Sequence, residues 1–468
     1  METFDVVVIG GGAIGENAAA RAVQGGLSAA LVDKELFGGE CSYWACMPSK
    51  ALLLPGHVRE HARRMPGVRV SDELDADAVL SRRNTITHNW DDSDQVKWAQ
   101  SANVELVRGV GRITGEREVT VPGLEGERVL RAEHAVVVCS GSVPILPKIP
   151  GIDDVDVWTS RQATSAQRVP ASMAVLGGGV VGVELAQAWA RLGSTVTLVV
   201  AGERPLHKME EMAGDLVVDG LRADGVDVRL GVSADQVSKV DDGARMVLSD
   251  GSEVTAEVLL AATGRRPNTD DIGLHSIGLT PGETLRVDDS GQVSGVEGGW
   301  LYAAGDVTGR APLTHQGKYA ARIVGDVLAA KAAGRPVDTR PWSRHQATAD
   351  HACVPQVIFT DPEVAFVGRT AAQAAADGIE HRVVEIDIAV GGSTLYMDGY
   401  TGKARMVVDT GRNVLIGVTF VGSGVAEMLH SATVAVAGEV PLDRLWHAVP
   451  AYPTISEVWL RLMEAYGL

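Results

Sequence analysis

Two cysteines five positions apart, Cys41 and Cys46, stand in the chain's densest run of chemically capable residues. That run is Gly38-Gly39-Glu40-Cys41-Ser42-Tyr43-Trp44-Ala45-Cys46-Met47-Pro48-Ser49-Lys50. A thiol pair cycles between dithiol and disulfide and so carries two electrons. In a straight helix a five-residue separation is about 7.5 Å of rise, beyond the usual disulfide Cα distance. A pair here must therefore straddle an irregular helix start, where backbone amides also favour thiolate. Lys50 puts a cation one helical turn past Cys46, and Glu184 is a carboxylate that can meet it across a domain boundary. Spacing alone leaves other readings open: two buried core thiols, and an ordinary interdomain salt bridge. Cys139 and Cys353 sit in apolar segments and read as core thiols. Four cysteines make no disulfide framework and match no zinc module, so no metal site is expected.

These residues need a scaffold, and the chain announces one twice. The strand-like Phe4–Ile9 runs into Gly10-Gly11-Gly12-Ala13-Ile14-Gly15, an alanine-rich helix, then Ala29–Val32 ending at Asp33. Strand, glycine turn, helix, strand and acid together specify a dinucleotide module: the glycines admit pyrophosphate to a helix N-terminus and the acid accepts ribose hydroxyls. The second copy is Ala174–Leu176, Gly177-Gly178-Gly179-Val180-Val181-Gly182, a helix, and Thr195–Val199. Counting as in the first copy, Val200 falls where Asp33 stands, so no carboxylate repels the extra phosphate of NADP. Arg204, His207 and Lys208 follow and could meet that phosphate, although a solvated surface explains them equally. NADPH is favoured over NADH. Thr263-Gly264-Arg265 reads as a chain reversal after a strand. Asp306 can face a flavin's polyol and phosphates or simply cap a turn. After about Pro341, alternating segments indicate a separate sheet domain with helices near Gly424–Ala437 and Ser456–Tyr466.

Composition narrows the class. The 468 residues exceed one ordinary core, and 45% hydrophobic with 22% charged residues is globular. A formal charge of −18 argues against nucleic acid and anionic membranes. No apolar run approaches a membrane span, and the N-terminus lacks signal-peptide character, so a cytoplasmic location is expected.

With these motifs in place, the chain resembles the pyridine nucleotide-disulfide oxidoreductase family, which includes dihydrolipoamide dehydrogenase, glutathione reductase and mercuric reductase. The likeness also rests on Cys139-Ser140-Gly141-Ser142, Pro147-x-Ile149-Pro150-Gly151, Gly305-Asp306, Leu313-Thr314-His315, Phe359-Thr360-Asp361-Pro362 and Pro453-Thr454-Ile455-Ser456-Glu457. It implies an α/β fold with two Rossmann-like nucleotide-binding domains plus a C-terminal α+β dimerisation domain. The expected segments are 1–152 (FAD), 153–270 (NAD(P)), 271–340 (FAD, return) and 341–468 (dimerisation). FAD is expected at Gly10, Gly12, Gly15, Asp33, Lys34, Gly39, Ser140, Gly141, Asp306, Leu313, Thr314 and His315. The nicotinamide nucleotide is expected at Gly177, Gly179, Gly182, Val200, Arg204, His207 and Gly264. The resemblance further implies that Cys46 is the flavin-side thiol and Cys41 the exchanging one, in a homodimer.

One position departs from the pattern. Tyr452 precedes Pro453-Thr454 where the family's disulfide reductases carry a catalytic histidine; Glu457 is retained, and His447 is five positions out of register. A phenol titrates near pH 10 and an imidazole near 6.5, so Tyr452 is expected to orient substrate and not to act as base. A tyrosine here is reminiscent of mercuric reductase, but the C-terminal cysteine pair of that enzyme is not seen. The expected activity is NADPH-linked, FAD-dependent reduction of a small disulfide or related electrophile. The alternatives are quinone or metal-ion reduction from the flavin, and a flavin-containing redox sensor.

Overall fold

The computed structural model describes residues 1–123 and 126–468. The elements that carry the reactive residues form from short local patterns. Strand β1 (Glu2–Ile9) is a β-branched run, and helix α1 (Ala13–Gln24) begins at Gly12 with no side-chain cap. Strand β2 (Ala29–Asp33) follows, then the short α2 (Gly39–Tyr43) and α3 (Cys46–Arg63). The pattern recurs as β3 (Ser172–Leu176), α4 (Val180–Arg191), again uncapped at Gly179, and β4 (Thr195–Val200). Helix α5 (Thr314–Ala332) comes later. An uncapped start leaves first-turn amides available to an anion.

The chain divides into two compact units. The first comprises Met1–Met47, Asn84–Pro144 and Arg265–His351. Its sheet runs Val104–Arg108, β2, β1, Gly126–Val138, Glu118–Gly123, Arg112–Gly115, with Leu301–Ala303 parallel to Gly126–Val138. Val8 stands opposite Leu31 on one side and Val137 on the other. Val6 and Val8 enter one apolar cluster while Val7 and Ile9 enter another, so side-chain alternation buries both faces. Helix α5 lies on α1 through Gly317, where an added Cβ would stand 2.5 Å from Ile14.

The second unit comprises Pro48–Arg83, Ile145–Gly264 and Ala352–Leu468. Its parallel sheet runs Asp227–Leu230, β4, β3, Val258–Ala261, Val157–Trp158. An antiparallel sheet follows the order Pro355–Ile358, Glu363–Gly368, Val414–Gly422, Lys403–Asp409, His381–Asp387. The chain is therefore α/β with two Rossmann-like modules and a C-terminal α+β module, as expected. The expected helix over 424–437 is shorter, a 3-10 turn at Ala426–Met428 leading into Leu429–Ala437. No described helix is long and apolar enough to cross a membrane.

Residues 48–83 belong by contacts to the second unit, although they follow the first glycine module directly. Two side chains explain this. Gly56 of α3 lies against the Arg191 side chain, and the fully buried Arg83 donates to the carbonyls of Thr164 and Ala166 at 2.5 and 2.6 Å.

Candidate active site

Cys41 lies within α2 and Cys46 opens α3, with the helix broken at Trp44, whose φ is −138°. The irregular start that the spacing requires is present. The two sulfurs are not joined by a disulfide. Cys46 Sγ is 3.3 Å from the Thr314 hydroxyl on α5. The Cys41 thiol is pushed well above its ordinary range, first by its hydrogen bond to Cys46 and then by burial; Thr314 and Lys318 pull the other way. Cys139 and Cys353 are buried, and burial pushes Cys139 up to about 12, out of reach of thiolate chemistry.

Lys50 Nζ donates to Glu184 Oε2 at 2.6 Å and lies 5.0 Å from the centre of the Phe359 ring. Glu184 is 3% exposed, and its other oxygen accepts the Phe359 amide at 2.9 Å. Both partners lie in the second unit, which α3 enters after Met47.

The two glycine turns are built alike. A Cβ at Gly15 would stand 1.8 Å from the Gly10 carbonyl, and one at Gly182 would stand 1.9 Å from that of Gly177. In the first copy Gly11 N donates to Asp33 Oδ2 at 2.6 Å, and Gly38 N to Gly11 O at 2.8 Å. In the second, Leu206 N likewise donates to Gly178 O at 2.8 Å, but Val200 methyls fill the place of the carboxylate. Burial raises the Asp33 carboxyl, and the Glu35 and Gly11 amides oppose the shift. Arg204 turns its charge onto Asp215 at 2.8 Å and Glu211 at 3.4 Å, whereas His207 and Lys208 are exposed.

The remaining expected flavin residues converge in the first unit. Asp306 accepts from Ser142 Oγ at 2.6 Å, Ser140 Oγ donates to Asn268 O at 2.7 Å, and the left-handed Gly141 has open space beside it. Leu313 caps α5, which Thr314 and His315 begin, while Lys34 is exposed next to Asp33 and Gly39 lies against Gly12. Gly264, also left-handed, accepts from Ile145 N at 2.9 Å in the second unit. Uncapped α1, glycines at 10, 12 and 15 and a carboxylate at β2 suit a dinucleotide's pyrophosphate and ribose, so the donor set fits FAD. Among the described residues no cluster of His, Cys, Asp and Glu could hold a metal ion.

Two participants escape a reading of the sequence. Arg265 donates to Ser142 Oγ at 2.8 Å and pairs with Glu40, beside Cys41, which binds the start of the first unit's third stretch to the redox turn. Glu16, the lone acid in an alanine-rich helix, has a buried Oε1 without a hydrogen-bond partner. Burial raises its carboxyl to about 7, with Lys318 opposing. Since the folded value lies above the ordinary 4.5, stability is lost as pH rises from about 4.5 to about 7 and is flat beyond. Glu16→Gln is therefore expected to melt higher than the native chain at pH 8, by about 3 kcal/mol, and alike at pH 4.5. Equal melting temperatures at pH 8 would contradict this.

Tyr452 is 77% exposed and leans on Gly391, whose amide donates to Glu457 Oε2 at 3.2 Å. Glu457 is buried and also takes Arg461 at 2.8 Å. Both border an apolar groove of about 1040 Å³ that includes Trp446, Val449, Leu460 and Met463, with Val449 83% exposed. His447 lines the same groove.

Comparison with known proteins agrees with this geometry. The family model "Pyridine nucleotide-disulphide oxidoreductase" matches residues 4–321, and the dimerisation domain of that family matches residues 354–463. The chain is 31% identical over 466 residues to dihydrolipoyl dehydrogenase 2 of Haloarcula marismortui, covering 97% of this chain and 94% of that protein. It is 30% identical over 472 residues to mercuric reductase of Acidithiobacillus ferrooxidans, covering 97% and 81%. The solved HOCl-induced flavoprotein disulfide reductase RclA from Escherichia coli superimposes with a TM-score of 0.83 at 24% identity, covering 98% of this chain and 99% of that one.

Proposed function

The chain belongs to the pyridine nucleotide-disulphide oxidoreductase family, as an FAD-dependent enzyme with that family's dimerisation domain, and from that premise we propose that it reduces a small disulfide or related electrophile with NADPH. The observation that carries this is the Cys41 and Cys46 pair set across a broken helix start, with Lys50 one turn further on. NADPH, a proton and one disulfide are consumed, giving NADP⁺ and two thiols.

FAD, held by Gly10, Gly12, Gly15, Asp33, Ser140, Gly141 and Asp306, supplies the two-electron link between nicotinamide and disulfide. Residues 1–152 and 271–340 are assigned to it, 153–270 to the nicotinamide nucleotide and 341–468 to dimerisation. Lys50, held by Glu184, would supply a positive charge that favours reduced flavin. Cys41 passes its proton to the departing acceptor sulfur as it attacks the disulfide, and Cys46, with the Thr314 hydroxyl beside it, then attacks Cys41 to reform the pair and release the second thiol. A second copy covers the groove beside Tyr452, and Tyr452 with Glu457 then serves the other subunit's site. Tyr452 orients the acceptor, and Glu457, engaged by Gly391 and Arg461, steadies the turn. The exposed tyrosine in the histidine's place favours one second reading, reduction of quinones or metal ions directly from flavin.

Anaerobic titration of the purified protein with stoichiometric NADPH tests the main reading. Flavin absorbance is expected to bleach and a long-wavelength thiolate band to grow; no thiol-dependent change would refute it. NADPH is expected to give the higher kcat/KM because Val200 leaves a 2′-phosphate unopposed. Val200→Glu should move the ratio towards NADH by about 10-fold, through a new ribose acceptor and phosphate repulsion. An unchanged ratio would place specificity elsewhere.

A further inference from the structure

Helix α4 buries a polar stripe that no nucleotide needs. Glu184, Gln187 and Arg191, at spacings of three and four, are 3%, 0% and 7% exposed and share one face. Buried polar groups need partners, and all three find one in residues 359–361, although Arg191 Nη1 has none. Gln187 Oε1 accepts the Asp361 amide at 2.7 Å, and its Nε2 donates to the Asp361 carbonyl at 2.9 Å. Arg191 Nη2 donates to Asp361 Oδ2 at 2.9 Å, while its Nε is anchored by Asp224 at 2.9 Å. Gly220 keeps the opposite side open: a Cβ there would stand 2.3 Å from the Asp361 carbonyl.

Two residues upstream, the same stretch meets Lys50 twice. The Phe359 amide holds Glu184 Oε1, leaving Oε2 for Lys50, and the Phe359 ring lies under Lys50 Nζ. Both contacts that locate the cation therefore depend on where residue 359 stands, and residue 361 is the point at which that backbone is pinned.

We propose that Gln187 and Arg191 are positioning residues for electron transfer, clamping residues 359–361 so that Glu184 and Phe359 hold the Lys50 cation in place. This rests on the role given above to Lys50, in favouring reduced flavin. Displacing a charge by a fraction of a helical turn weakens its effect without removing it, so loosening the clamp acts on the flavin and not merely on stability.

The test uses the purified FAD-loaded enzyme and two readouts, the flavin midpoint potential by dye equilibration and the rate of flavin reduction by NADPH in stopped flow. Gln187→Met, close in shape but without either amide bond, is expected to lower the potential and slow reduction by about 10-fold. In a Lys50→Met background the same change should add nothing further. Potential and rate equal to the native enzyme's, or a full additional loss without Lys50, would overturn the clamp. Should Gln187→Met not accumulate as folded holoenzyme, Asp361→Asn decides by the same readouts: a lowered potential upholds the clamp and a native one overturns it. Native enzyme whose flavin NADPH cannot reduce would refute the functional reading; native enzyme that reduces normally beside unaltered variants refutes only the clamp.

Discussion

Cys41→Ser and Cys46→Ser are each expected to lower NADPH-dependent disulfide turnover by about 10³-fold or more while leaving flavin reduction by NADPH nearly intact. The separation follows from chemistry and position. Hydride transfer between nicotinamide and flavin uses no sulfur, whereas in the proposed relay every electron bound for a disulfide acceptor passes through the pair. The two variants should differ in colour. Cys46 opens α3 and has Thr314 at 3.3 Å; in its proposed role as the flavin-side sulfur it should give the long-wavelength band, which Cys41→Ser should retain permanently. Cys46→Ser should lack it, because the sulfur that opens α3 is gone. Stopped-flow absorbance followed by steady-state assay with a disulfide and with a quinone measures all of this. Quinone turnover surviving in both variants while disulfide turnover was native to begin with would assign the sulfurs to one acceptor class only; undiminished disulfide turnover in both would sink the relay.

The second large effect concerns the two glycine turns, which should fail separately. In Gly15→Ala the new methyl would need to occupy space 1.8 Å from the Gly10 carbonyl, and in Gly182→Ala 1.9 Å from that of Gly177. These are backbone atoms at the mouth of a strand, with no flexible side chain to yield. Overpacking of this kind costs about 1–3 kcal/mol, or about 10- to 100-fold in an affinity that depends on the turn. Gly15→Ala should therefore purify with little FAD and regain it only at high added concentration. Gly182→Ala should keep its flavin and its thiol chemistry when reduced by dithionite, yet show a KM for NADPH raised by about 10- to 100-fold. Flavin content by absorbance and KM by initial rates separate the two. FAD loss in Gly182→Ala with retention in Gly15→Ala would exchange the two assignments.

The parts legible in the sequence are those encoded locally. Both modules lie where their apolar runs and glycines place them, and the register aligns them: Val32 faces Ile9 as Val199 faces Leu176, which makes Asp33 and Val200 structural counterparts. The helix break between the cysteines follows from rise per residue alone, and it falls at Trp44. What stayed hidden depends on residues distant in the chain. Arg83 binds carbonyls 81 and 83 residues away and Arg265 reaches Glu40 across 225, and neither arginine differs in local context from a surface one. The same applies to the division of the molecule: α3 reads as part of the first module, yet Gly56 meets Arg191 and carries residues 48–83 into the second unit. Glu16 shows the limit in miniature, since one acid among alanines signals something unusual without saying whether water reaches it.

Each compact unit is assembled from three separated stretches of chain, and this has a consequence for synthesis. The first glycine turn leaves the ribosome early, but Leu301–Ala303, which pairs with Gly126–Val138 in the same sheet, follows nearly 300 residues later. At translation rates of about 5–20 residues per second that interval is about 15–60 s. Throughout it the sheet around β1 has an unfilled edge and an incomplete apolar face, the form most open to wrong pairing. The nascent protein must therefore be sheltered, or held loosely folded, until its third stretch arrives, and any premature stop before Leu301 yields a fragment that cannot close its own first sheet.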